Sequence, residues 1–145
     1  MKKIYLMLVV YFATLIWSII HPKEGFTCFL EIFPALLGLL LLAFTFKKFR
    51  FTDITYFLIL IHCIILFVGG HYTYAEVPLF DTIRELFHQS RNNYDKVGHF
   101  AQGLVPAMII RELFIRKKVI SNPRFFNFII VSICLAISAA YEWLE

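Results

Sequence analysis

Asp95 and His99 stand four residues apart, one helical turn, so in a helix they share a face. A carboxylate one turn from an imidazole can orient the ring, raise its basicity or share a metal ion with it. Gln102 and Pro106 continue that face. Near the end of the chain Glu142 and Glu145 form a second ionisable pair. Paired carboxylates can divide acid and base roles or hold a divalent cation. Glu31 is a lone carboxylate inside an apolar run, where it is costly unless paired or protonated. Arg91 offers a planar fork for an anionic group, and Tyr72 and Tyr74 stand just before the same polar stretch. The set expected to work chemically is Asp95, His99 and Glu142. The set expected to hold a ligand is Arg91, Tyr72, Tyr74, Gln102, Glu31 and Glu145. Each has a plainer reading. Asp95 suits a helix N-terminus, the glutamates can simply reach water, and tyrosines at this depth anchor an interface.

These residues are set in an oily chain. Of its 145 residues 60% are apolar, 18% aromatic and only 17% charged, and its mean hydropathy is +0.74. Soluble domains carry about 25% charged residues. Apolar stretches run over residues 4–20, 26–46, 54–70, 97–115 and 125–144. Each is near the ~20 residues a helix needs to cross the bilayer core. The chain is therefore expected to be all-α, a single polytopic bundle of five spans over residues 1–145. A barrel would show alternating strands of about half that length.

Between the third and fourth stretches Leu79, Phe80, Ile83, Leu86 and Phe87 recur at helical spacing, and Pro78 suits a first-turn position. This predicts a short amphipathic helix at the membrane surface or over the mouth of the bundle. Thr52 or Asp53 can cap the third span, and Gly69-Gly70 is a natural place for it to stop. Pro34 is expected to kink the second span. His62 reads as a hydrogen-bonded core histidine, and Arg111-Glu112 as a local structural pair. Cys28, Cys63 and Cys134 are scattered in apolar runs and read as small buried hydrophobes.

The net charge of +4 reports topology rather than a polyanionic partner. Lys2, Lys3, Lys47, Lys48, Arg50, Arg116, Lys117, Lys118 and Arg124 fall on one predicted side; Lys23, Arg84, Arg91 and Lys96 fall on the other. The excess marks the cytoplasm, which puts the N-terminus inside and residues 71–98 outside. No nucleic-acid partner is expected. The opening apolar run has no small-residue cleavage site before Pro22 and reads as a retained first helix. Zincin, nucleophile-elbow and phosphate-loop motifs are all missing.

The stretches HYTYAEVPLF, RNNYDKVGHFAQGLVPAMIIREL and SAAYEWLE resemble the bacterial inner-membrane family typified by YjdF. The likeness runs from about Glu31 to the end of the chain. Its recurring elements fall on Gly69, Gly70, Tyr72, Thr73, Tyr74 and Ala75. A second group falls on Arg91, Asn92, Tyr94, Asp95, Gly98, His99, Phe100, Gln102 and Gly103. Pro106-Ala107, Arg111-Glu112, Tyr141, Glu142 and Glu145 complete it. Residues 95–100 also resemble, more distantly, the D-K-x-x-H-F signature of VanZ-like membrane proteins. The resemblance implies a small integral protein of the bacterial inner membrane and names no reaction. It also implies a further span and acidic residues beyond Glu145, so the chain is expected to be C-terminally truncated.

Together these readings lead to an outward-facing polar pocket in a membrane bundle, lined by the second, fourth and fifth spans and the segment at 71–96. Membrane lipids surround it. The expected ligand is a lipid or lipid-linked envelope component, and a divalent metal and a homo-oligomer are both compatible with the residues. A small proton-coupled carrier and a non-catalytic membrane scaffold are the rival readings.

Overall fold

A computed structural model describes residues 2–120 and 122–144, the side chains of Pro123, Tyr141, Glu142 and Leu144 excepted. The described residues are helical with no strand. The helices are α1 (Lys2–Ile19), α2 (Gly25–Thr45), α3 (Asp53–Tyr72), α4 (Pro78–Leu86), α5 (Tyr94–Lys117) and α6 (Pro123–Leu144). All five expected long helices and the short amphipathic one are present, with ends within a few residues of the expected ones.

α1, α2 and α3 are long and apolar enough to cross a membrane. α5 has the length, since its 24 residues reach roughly 36 Å at ~1.5 Å per residue. It also carries Asp95, Lys96, His99, Gln102, Arg111 and Glu112. The apolar run within α6 is Arg124–Ala140.

α3 is the hub. It packs against α1, α2 and α5, and α6 leans on α5. Tyr11 of α1, Cys28, Ile32 and Ala35 of α2, and Leu60, Cys63 and Phe67 of α3 form the apolar centre. Apolar residues elsewhere, such as Leu6, Phe29, Phe44 and Phe128, are exposed. In a bundle without water around it, such a surface faces lipid rather than awaiting a core. Where α1 ends beside the end of α3, Ser18 Oγ donates to the Phe67 carbonyl at 2.7 Å, His71 Nδ1 lies 3.0 Å from the Ser18 carbonyl, and His71 stacks on Trp17. Lys23 pairs with Glu76 across the same end.

The start of α3 is capped by Thr52, whose Oγ1 accepts from Thr55 N. Its other end departs from expectation. The helix runs through Gly69 and Gly70 to Tyr72 and is closed by Thr73 in the left-handed conformation, φ 56°. The two glycines serve close approach instead. A Cβ on Gly70 would sit 3.0 Å from Glu31 Cβ and 3.3 Å from Cys28 Cα, and one on Gly69 would collide with the Tyr74 ring. Their small size lets α2 and the following turn close onto α3.

Arg111 and Glu112 do not form the local pair expected of them. Glu112 accepts from Arg116 at 2.7 Å, from Thr52 N at 2.8 Å and Thr52 Oγ1 at 2.9 Å, and from the Thr55 hydroxyl. A helical residue meets its neighbour four positions on, not the adjacent one. Arg116 also donates to the Arg50 carbonyl at 2.6 Å and covers the Phe49 ring. This cluster ties the end of α5 to the start of α3.

Candidate functional site

One turn apart on α5, Asp95 and His99 line a cavity of about 300 Å³, as do Gly98, Gln102 and Pro106. The face expected from spacing is therefore the face that lines the space. Pro106 has no N–H, so the Gln102 carbonyl lacks the donor that an uninterrupted helix would give it. Asp95 is held from outside the cavity: Arg91 Nη2 donates to its Oδ2 at 2.9 Å.

α2 supplies the opposite wall through Glu31 and Pro34. Glu31 is 7% exposed. A buried carboxylate needs hydrogen-bonding company, and the Tyr74 hydroxyl donates to its Oε2 at 2.8 Å. Tyr74 reaches it by an unusual route. Thr73 and Tyr74 both have φ 56°, the left-handed region disfavoured for residues with a side chain. Two such residues in succession fold the Tyr74 ring back against the bundle. It lies against Gly69, and a Cβ on Gly98 would come within 3.0 Å of it. Tyr94 packs beside it at a centroid distance of 5.7 Å. Strained backbone persists only where its surroundings over-determine it; here those surroundings are two glycines, a tyrosine and a buried carboxylate.

α3 contributes His62 and Leu66, and α6 contributes Ile137. His62 is the residue the sequence reading set aside. It is ionisable, sits in the middle of the hub helix and faces Glu31 and His99 across the same space. Its position four residues before Leu66, on one face of α3, was the available signal. Pro34, three residues after Glu31, was likewise legible as a neighbour on one face.

Of the residues expected to form the site, Glu31, Tyr74, Asp95, His99 and Gln102 come together. Arg91 stands behind Asp95 rather than in the wall. Tyr72 packs instead with Trp17 and His71, at centroid distances of 5.9 and 4.6 Å. The side chain of Glu142 and the whole of Glu145 lie outside what is described. Arg84 pairs with Asp81 at 3.2 Å in α4. Asn92 Nδ2 holds the start of α4 by donating to the Val77 carbonyl at 3.0 Å. Among the described residues no three His, Cys, Asp or Glu side chains gather as a ligand set for a metal ion.

Residues 3–145 match the model of a family described as predicted membrane protein (DUF2238). The chain belongs to this family. It is 41% identical over 131 residues to the inner membrane protein YjdF of Escherichia coli (strain K12), covering 90% of this chain and 63% of that relative. It thus spans 63% of the length of the curated relative it matches. No solved structure matches it. The family and its apolar helices make the protein a multi-pass protein of the bacterial inner membrane. These matches bear on the YjdF-like resemblance; the VanZ-like one rests on residues 95–100 alone.

Proposed function

We propose that the protein binds an amphiphile, a lipid or a lipid-linked envelope component, in the cavity between α2, α3 and α5. One observation carries this reading: two carboxylates, two histidines, an amide and a tyrosine converge on a single space inside a bundle whose outer surface is hydrocarbon. Ionisable side chains at such depth are costly and are retained where they meet a ligand or each other. His99, with Asp95 one turn away and held by Arg91, is the group best placed to move a proton to or from the bound molecule. Arg91 then acts as a positioning residue for Asp95.

In this reading the chain is one membrane domain of five spans with its N-terminus in the cytoplasm and the cavity mouth at the outer leaflet. The excess of Lys and Arg at one end of the helices supports that orientation. α5 crosses despite its polar residues because those at its middle face the cavity rather than lipid. A second reading, a proton-coupled carrier, draws on His62, which extends the titratable groups to the middle of α3.

The test is to purify the protein from its membrane and identify the lipids that come with it by mass spectrometry. The wild type should enrich a discrete amphiphile over bulk lipid. Glu31→Gln and His99→Ala, shown to be folded by their helical content and thermal midpoint, should reduce that enrichment by ~10-fold or more. Equal enrichment in all three proteins would overturn the proposal. Proton-driven flux in reconstituted vesicles, lost in His62→Ala, would favour the carrier.

A further inference from the structure

We infer that the hydrocarbon chain of the bound amphiphile lies in a second cavity, and that its head is a hydrogen-bond donor, a hydroxyl or an ammonium, rather than a phosphate. This rests on the amphiphile reading above and gives it a placement and a chemistry. The second cavity, of about 460 Å³, lies between α1, α2 and α3. Pro34, His62 and Leu66 line both spaces, so the two adjoin at these side chains. Past that junction the character changes. The wall is built largely of aliphatic side chains such as Met7, Leu39, Leu42, Ile59 and Leu60.

Small residues keep the groove open. Gly38 lies in its wall, and a Cβ built there meets nothing within 4 Å. Along α2 the groove runs from Pro34 to Phe46, roughly 18 Å at ~1.5 Å per residue. That is close to one leaflet of hydrocarbon, half of the ~30 Å core. A polar chamber beside an apolar groove of one-chain length fits a molecule with a head and a tail, and neither a free polar solute nor a pure hydrocarbon would occupy both.

The chemistry of the head follows from the chamber. Its described wall carries the carboxyls of Glu31 and Asp95, with His62, His99, Gln102 and Tyr74, and neither lysine nor arginine. The nearest guanidinium, on Arg91, is already paired with Asp95. A phosphate would face two acidic groups with no fixed cation in the wall. A hydroxyl or ammonium would find acceptors there, in the two carboxyls and the Gln102 side-chain amide.

The experiment uses the purified protein in phosphatidylcholine nanodiscs. Three photoreactive probes share one saturated chain with a diazirine near its end and carry an amine, a glycerol or a phosphate head. Labelled residues are mapped by mass spectrometry, with and without an excess of the unlabelled molecule. The amine or glycerol probe should label the α2 and α3 walls saturably, and the phosphate probe ~10-fold less. Gly38→Phe should block the groove and cut that labelling by a similar factor while leaving the helical content unchanged. If its thermal midpoint falls, Ala43→Leu narrows the same groove.

Labelling that does not saturate and spreads over lipid-facing residues would overturn the inference, as would equal labelling by the phosphate probe. Saturable labelling lost in Glu31→Gln but unchanged in both groove variants would overturn the chain's placement and leave the polar cavity standing. Failure of every probe to bind saturably would overturn this inference; lipid enrichment that survives in Glu31→Gln and His99→Ala is what overturns the cavity reading itself.

Discussion

Glu31 and Glu112 are two shielded carboxylates in one bundle, and they differ in what surrounds them. Glu112 sits near the basic end of the helices. Four donors converge on it, from Thr52 N, the Thr52 and Thr55 hydroxyls, and Arg116. It lines neither the polar nor the apolar cavity. Glu31 sits toward the other end, accepts from Tyr74 and forms the wall of a space shared with Asp95, His99 and His62. The first carboxylate is consumed in joining α3 to α5. The second faces room for another molecule. Charge and burial alone do not separate these two acids; the cavity beside Glu31 does.

That contrast can be broken most directly at Glu112. Glu112→Ala should destabilise the protein by about 2–3 kcal/mol, because it removes a charged acceptor from several donors at once. Thermal unfolding in detergent checks this, and lipid enrichment by the folded fraction should be unchanged. A variant that loses the amphiphile while keeping its thermal midpoint would erase the distinction between the two acids.

The next largest effect is expected at Gly69. Gly69→Val places side-chain atoms where the Tyr74 ring lies, and overpacking of this kind costs about 1–3 kcal/mol. The ring should leave its slot, separating its hydroxyl from Glu31, so enrichment should fall together with stability. Gly103→Ala is the matched control, since nothing lies within 4 Å of its new Cβ and it lines neither cavity. The smallest effect belongs to Tyr72→Phe. Its ring stays with Trp17 and His71, away from the cavity, and neither enrichment nor stability should move by more than about 0.5 kcal/mol. A tenfold loss of ligand in this variant would mean that the binding surface extends to the cluster of Trp17, His71 and Tyr72.

Much of the site was legible before any coordinates. The spacing of Asp95, His99, Gln102 and Pro106 fixes one face of a helix, and that face lines the cavity. Glu31 was conspicuous as an acid in an apolar run. Tyr72 and Tyr74 looked alike, two positions apart beside the same polar stretch, yet only Tyr74 turns inward. The cause is a pair of left-handed residues, Thr73 and Tyr74, whose types do not announce that conformation. Gly69-Gly70 read as a helix stop, and their role in close approach depends on Tyr74 and on Glu31 and Cys28 of α2, which local propensity does not place. His62 looked inert because the ionisable residues that share its cavity come from α2 and α5, far away in the chain.

What the sequence by itself determined is the class of molecule: hydrophobic runs of membrane length, their helical form and the face on which Asp95 and His99 stand. These follow from periodicity and from the need of every backbone group for a partner in hydrocarbon. Only the tertiary structure decided which acid is latched and which faces a cavity. It also set a polar cavity beside an apolar one, with His62 in the wall of both. Such outcomes depend on how helices remote in sequence close on one another, and three glycines, at 69, 70 and 98, set that distance by lacking the one carbon that would hold them apart.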